Sequence, residues 1–482
     1  MKSKSINFIF VVFTFLQVIF IRFSTHHFET LDWDINAFLV TSLEFGRGNL
    51  PYEFQYENKP PLLFLIFYLY SLLTNNNLFF IKIINDILLF LILIVMSNLY
   101  KDKNSNSFTK YIPPIIFLLL TSNVWFHPSY SEYLVIFFLA ITQYLVLRKN
   151  NKYKYILIGL MLGFASLINL GSVIFLFSFL LIINLNYGVN LNRNIKIFIG
   201  FFIPHIVFIL IYSVNNLFNE YYMAIIEIPL SYIRTDFSFS RALTVFLVAL
   251  KNFNLYIYLI LLICFALLIF RIFNNTLSQI KERSVIELAV LNITSLLFFY
   301  FAGKGYYHHL LLFLYFMSFS TKWITKKIDR KILIMLIFIS LNFVNQKSYD
   351  MTIINLRNFK NIQSSYPIYQ ISNKVKNEIS KNDLIFSTNN ILILYYLNKQ
   401  NSSYIVHPAL YSYAEITNVL EKNSKINKDE IFYNIAKKPK ILELNSKENS
   451  INGYKKIITD DLNITLLNYW SKNPNINMHI KK

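Results

Sequence analysis

Pro61-Leu-Leu-Phe-Leu-Ile-Phe-Tyr-Leu-Tyr-Ser-Leu-Leu73 is apolar enough to pass for a membrane span, and the topology of the whole chain turns on whether it is one. It is short and aromatic, and it opens on the pair Pro60-Pro61. A helix that crosses a bilayer needs about 20 mostly apolar residues. The stretch therefore reads as a juxtamembrane helix at the outer interface. Just upstream lies a polar loop that carries Asp32-Trp33-Asp34, then Gly46-Arg47-Gly48-Asn49-Leu50-Pro51-Tyr52, then Glu57-Asn58-Lys59. Acids, a lysine and turn residues thus share one loop beside a membrane. Charges held at a bilayer by so apolar a chain usually serve substrate rather than stability.

The surroundings of that loop are greasy. Of 482 residues, 55% are hydrophobic and only 15% charged, against about a quarter charged in a soluble protein. Mean hydropathy is +0.43. The net charge of +20 could suggest nucleic acid, but most cations sit in short loops between apolar runs or in the C-terminal tail, so that class is rejected. The single cysteine, Cys264, lies in an apolar run, which excludes an intrachain disulfide or a cysteine-based metal site. The first apolar run ends at Ser24-Thr25-His26-His27, a poor cleavage site, and reads as an uncleaved span.

Working outward, candidate spans fall at 6–22, 78–99, 111–127, 132–147, 155–169, 171–187, 197–214, 254–271, 284–302, 309–321 and 331–345. The expected fold is mostly α, a polytopic helical membrane domain of about 10–12 spans followed by a small exoplasmic α/β domain. With Lys2 and Lys4 in the cytoplasm, the inner loops gather Lys101, Lys103 and Lys110, then Arg148, Lys149, Lys152 and Lys154, then Arg193 and Lys196. Arg271, Lys281 and Arg283 follow, then Lys322, Lys326, Lys327, Arg330 and Lys331. The outer turns near 127–131 and 169–171 hold none, which is the positive-inside pattern. On this map residues 1–345 are the membrane domain, with the loop 23–77 outside, and 346–482 form the exoplasmic domain of a plasma-membrane protein. Strands are expected at 383–387, 391–396, 403–406 and 439–444, with helices near 369–379 and 414–423.

Several residues are candidates for chemistry, each with a structural alternative beside the functional one. Asp34 can N-cap a helix through Ala37–Phe45 that Gly46 stops, but a cap needs one aspartate, and Asp32 is then left over. Lys59 either snorkels at a helix start or contacts a phosphate, with its backbone fixed by two prolines. Glu132 either rides a helix N-terminus or serves substrate. Gly303-Lys304-Gly305-Tyr306-Tyr307-His308-His309 is an outer turn. Its adjacent histidines should diverge around a helix, which argues against a two-histidine metal site. Arg234 and Arg241 lie in a long outer loop and either grip an anionic head group or are solvated. All these groups fall on one side of the membrane under a topology fixed by other residues.

A first span, an outer-loop acid, a Gly48-x-x-Pro51-Tyr52 turn and the Lys59-Pro60-Pro61 step resemble the GT-C glycosyltransferases. Within them the likeness is to the bacterial protein-O-mannosyltransferase-like and aminoarabinose-transferase-like group. Residues 32–61 carry most of it, and Glu132 with Tyr307-His308 match more loosely. The resemblance implies a sugar donor linked to polyprenyl phosphate, used on the outer face. It places the loop acid on Asp34, with Asp32 as the other candidate, and the lysine on Lys59. Where many relatives carry a basic residue after the fifth span, this chain has Asn169.

The expected reaction is an inverting sugar transfer to a glycan, lipid or protein acceptor. Asp34 takes the proton of the attacking hydroxyl. The phosphate leaving group needs no general acid, only charge stabilisation from Lys59, His308, Arg234 or Arg241. Tyr52, Glu132 and Tyr307 complete the expected substrate contacts. Asp32 or Glu132 would orient the acceptor or share a divalent cation, and an obligatory metal is not expected. A transporter or flippase of lipid-linked saccharides would need charges deep within spans and two related halves. A lipid-linked glycan polymerase or ligase would use a late loop rich in arginine and histidine.

Overall fold

Prolines and caps set where the helices begin. The computed structural model describes residues 2–30, 32–99, 109–122, 126–148, 153–235, 240, 243–244, 246–248, 262–266, 268–270, 272–273, 283–301, 306–321, 346–380, 382–427, 441–443, 454–456 and 469–472. In chain order its first helices are α1 (Lys2–Arg22), α2 (Trp33–Gly46), α3 (Pro61–Thr74), α4 (Leu78–Leu99), α5 (Ile112–Leu120) and α6 (Ser131–Leu147). Then come α7 (Lys154–Ser166), α8 (Ile174–Tyr187), α9 (Leu191–Val214), α10 (Phe218–Tyr222) and α11 (Ile228–Thr235). The later helices are Arg283–Phe301, Leu311–Ser318, Gln346–Arg357, Pro367–Val375, Leu392–Tyr396 and Ala414–Lys422. The expected span at 331–345, most of that at 254–271, Arg241 and Lys304 lie outside the described residues, as do the loop cations Lys101, Lys103, Lys149, Lys152, Lys281, Lys322, Lys326, Lys327, Arg330 and Lys331.

Among the described residues, three helical segments are long and apolar enough to cross a membrane, Leu78–Leu99, Leu170–Tyr187 and Leu191–Val214. The apolar helices Pro61–Thr74, Ser131–Leu147 and Lys154–Ser166 are shorter. The 14 residues of α3 rise about 21 Å at 1.5 Å each, short of the ~30 Å hydrocarbon core. Pro61 starts α3 at a position where the missing N–H costs nothing, and Asn75 stops it in the left-handed conformation. The span expected at 111–127 is a nine-residue helix that ends at Leu120. Thr121 turns its hydroxyl back onto the Phe117 carbonyl at the close of that helix.

The chain divides into two units. The first holds residues 1–26, 82–210 and 236–357. It is apolar and clasped by buried polar pairs, as expected where lipid gives helices no hydrophobic reason to associate. Tyr315 donates to Gln143 Oε1 (2.8 Å), Asn85 to Ser129 Oγ (3.0 Å), and Ser178 and Thr294 hydroxyls meet at 2.6 Å. His26 Nε2 lies 3.0 Å from Asp86 Oδ2, and Arg22 reaches the Thr121 carbonyl and the Tyr133 hydroxyl. Helix α9 turns Ile199, Phe202, Ile203, Ile206 and Leu210 outward, an apolar face suited to lipid. The cations expected at the inner side cap helix ends. Lys154 Nζ donates to the carbonyls of Val146 (3.0 Å) and Arg148 (2.7 Å), and Arg193 bonds Asn184 Oδ1 (2.7 Å). Helix Gln346–Arg357 also belongs here, where Asn355 Nδ2 donates to the Phe23 carbonyl (2.7 Å).

The second unit joins residues 27–81, 211–235 and 358–482, so the first loop folds with the C-terminal segment. Its sheet has the order β1-β2-β4-β3, with β1 (Ile385–Phe386), β2 (Ile441–Glu443), β3 (Tyr454–Lys456) and β4 (Tyr469–Lys472). β1 runs parallel to β2, and the other pairings are antiparallel. The strand expected at 391–396 is instead the helix Leu392–Tyr396. Its side chains from Leu392 to Tyr395 are all buried, so an apolar run without alternation reads the same in either form. Strands β1 and β2 and the helices Pro367–Val375 and Ala414–Lys422 lie where expected. Glu29 fixes the N-terminus of helix Pro367–Val375 by accepting the N–H groups of Ile368 (2.6 Å) and Tyr369 (2.9 Å). Glu29→Ala should cost about 1–3 kcal/mol through two orphaned donors, read as a lower melting temperature of the detergent-solubilised protein. An unchanged melting temperature would show the cap to be dispensable.

Candidate active site

The aspartates divide their work in a way the sequence leaves open. Asp32, not Asp34, is the N-cap of α2: its backbone is extended and its Oδ1 accepts the Asp34 N–H at 3.0 Å. The amphipathic helix expected there is in fact buried along Ile35–Glu44. Asp34 therefore stands in the first helical turn, where the helix dipole favours a carboxylate. Its partner is His407, whose Nε2 is 2.7 Å from Asp34 Oδ1. His407 Nδ1 accepts the Ala409 N–H at 3.1 Å, so the ring proton belongs on Nε2 and is donated to Asp34.

Backbone pairing brings His407 there. Tyr56 N–H donates to the Tyr404 carbonyl (2.6 Å), and Val406 N–H donates to the Tyr56 carbonyl (3.0 Å). This parallel bridge between Tyr56 and Ile405 puts Glu57 alongside the residues that lead into His407. Glu57 is buried, and its Oε2 has no hydrogen-bond partner among the described residues. Burial pushes its carboxyl up to about 7, with Asp34 adding repulsion while His407 and Lys59 oppose the rise. For His407, burial alone would weaken proton binding, but the carboxylates of Glu57, Asp34 and Asp32 outweigh it and raise the pKa above the usual histidine value.

Lys59 sits on the same side of α2. Its Nζ lies 5.9 Å from the centre of the Phe38 ring, one helical turn beyond Asp34. Tyr52 holds the Lys59 backbone by donating its phenol to the Lys59 carbonyl. Tyr52 is buried with φ +73, and Tyr212 donates to the carbonyl of Pro51 at 3.0 Å. The tyrosine expected to touch substrate is thus placed to position the lysine. The Arg234 side chain and Arg241 lie outside the described residues.

Glu132, Tyr307 and His308 belong to the first unit. Glu132 occupies the first turn of α6, and Asn169 Nδ2 donates to its Oε1 at 3.1 Å. Asn169, for which the sequence offered no role of its own, therefore holds a carboxylate. The expectation that His308 and His309 diverge fails. They lie in a tight 3-10 turn, Tyr307–Leu310, with ring centres 4.5 Å apart. Glu132, His308 and His309 are the group among the described residues whose donor atoms could hold a metal ion.

An apolar helical unit with membrane-length helices and a second unit built from the first loop and the C-terminal segment make up the fold. Two solved structures share it. One is ArnT from Cupriavidus metallidurans bound to undecaprenyl phosphate, with a TM-score of 0.61 at 10% identity over 96% of this chain and 98% of that one. The other is ArnT from the same organism in the apo state, with a TM-score of 0.55 at 11% identity over 92% and 93%. No protein-family model and no curated protein matches the chain.

Proposed function

We propose that the protein is a multi-pass plasma-membrane glycosyltransferase that moves a sugar from a polyprenyl-phosphate donor to an acceptor hydroxyl with inversion. The single observation that carries this reading is the Asp34–His407 pair at the start of α2, in a fold shared with an undecaprenyl-phosphate-bound transferase. Asp34 accepts the hydroxyl proton as the oxygen attacks the anomeric carbon. The bond from that carbon to the phosphate oxygen breaks, and the phosphate departs on its lipid. The Nε2–H of His407 fixes the Asp34 carboxylate, and Lys59 offsets the charge that develops on the phosphate. The N-terminus is cytoplasmic, and the loop 23–77 and the segment 346–482 face the exoplasm.

Proteoliposomes with radiolabelled undecaprenyl-phosphate sugars, pentose and hexose, and an envelope extract as acceptor test the reading. Label should leave the lipid only when active protein is present. Label that crosses the bilayer while still lipid-linked would replace the enzyme with a flippase.

Glu57 gives the site a pH signature. Its folded-state pKa of about 7 exceeds the ordinary 4.5, so between those values the folded protein binds the extra proton. Stability therefore falls as pH rises through that window, and the loss is complete above it. Glu57→Gln should raise the melting temperature at pH 8 and flatten its dependence between pH 4.5 and 7. Parallel profiles for variant and wild type would refute the assignment.

A further inference from the structure

We propose that Glu132, His308 and His309 bind one divalent transition-metal ion, zinc by the chemistry of the donors. Their donor atoms lie within 4.8 Å of one another. All three residues are buried, at 0%, 5% and 6% exposure. His309 Nε2 and Glu132 Oε1 are 3.7 Å apart. Bonds of about 2.0–2.1 Å in a tetrahedral zinc site set neighbouring donors roughly 3.4 Å apart, so a few tenths of an ångström close the pair on an ion.

The surroundings orient these donors. Asn169 donates to Glu132 Oε1 at 3.1 Å while its own Oδ1 accepts the Gly171 N–H at 3.2 Å, which fixes its amide. Ser131 Oγ donates to Glu132 Oε2 at 3.2 Å. The His308 ring stacks on Tyr130 with centres 4.4 Å apart and 16° between planes, and lies parallel to Tyr306 at 5.7 Å. Phe298 meets His309 edge-on at 6.0 Å. Outer groups of this kind set ligand direction in metal sites.

Charge points the same way. A fully buried carboxylate is costly unless paired, and among the described residues no lysine or arginine pairs with Glu132. Two imidazoles and one carboxylate suit zinc and its transition-metal neighbours rather than magnesium or calcium. Three protein donors leave a fourth position for water or an anionic oxygen.

The full-length protein in detergent, stripped with a chelator, tests this without any assay of sugar transfer. Zinc titrated against a competing indicator should bind at one equivalent per chain. Cobalt(II) should give the intense visible bands of a tetrahedral site. Asn169→Ala should weaken zinc about 10–100-fold, and the triple variant Glu132→Gln/His308→Ala/His309→Ala should abolish the site. Absence of stoichiometric zinc and of the cobalt bands in wild type overturns the proposal even if the variants do not fold. Equal binding by a folded triple variant overturns it as well.

Discussion

Asp34→Asn is expected to lower sugar transfer by about 10²–10⁴-fold while leaving expression and extraction at wild-type levels, because it removes the proton acceptor and little else. The amide keeps the shape of the side chain, and its oxygen can still accept the Nε2–H of His407. The N-cap survives because it belongs to Asp32. His407→Ala should cost about 10²-fold, mostly in kcat, because the base remains but is no longer held. Asp32→Asn should change turnover little, since an asparagine caps as well as an aspartate. This pattern separates a base from a cap. If Asp32→Asn were the inactive variant and Asp34→Asn the active one, the assignment would have to be exchanged.

The two aspartates show how far the sequence reached. Acids, lysine and turn in one loop were readable, because each has a local reason to be where it is. So was the helix nature of Pro61–Thr74, since proline marks the start and the apolar run is too short to span. The order of Asp32 and Asp34 was not, because either residue satisfies the rules for a cap. His407 escaped for a different reason. It follows the apolar run Tyr404-Ile-Val and precedes Pro408, but its meeting with Asp34 depends on a bridge between segments 349 residues apart, Tyr56 and Ile405. No local pattern encodes that register. The paired histidines escaped because spacing around a helix axis says nothing of side-chain direction, and their ring centres lie 4.5 Å apart, edge to face. The resemblance marked Asn169 only as a missing basic residue, and the structure commits its amide to Glu132.

Gly200→Leu and Gly159→Leu should prevent folding of the first unit, at a cost of about 3 kcal/mol or more each. A Cβ on Gly200 would sit 2.1 Å from the Ile156 carbonyl oxygen, and one on Gly159 would sit 2.0 Å from that of Ile197. At Gly163 the clash is 2.5 Å from the Phe201 carbonyl oxygen. These are backbone atoms, so no side chain can swing aside. Helices α7 and α9 touch main chain to main chain, through the Gly159-Leu-Met-Leu-Gly163 spacing that lets membrane helices approach closely. Gly188, at φ +76 with open space around its notional Cβ, supplies the control. With ψ at 165 that backbone is one only glycine adopts readily, so Gly188→Ala should cost about 1–3 kcal/mol from backbone strain alone, less than the clash at Gly200. Size-exclusion profiles of detergent extracts make the comparison. A monodisperse Gly200→Leu protein with a wild-type melting temperature would show that α7 and α9 part at little cost. The consequence reaches Glu132. Asn169 follows directly on the C-terminus of α7, so a displaced α7 withdraws the amide that holds the Glu132 carboxylate. Gly163→Ala, the mildest of these changes with its Cβ 2.5 Å from the Phe201 carbonyl oxygen, should therefore weaken zinc binding before it abolishes folding.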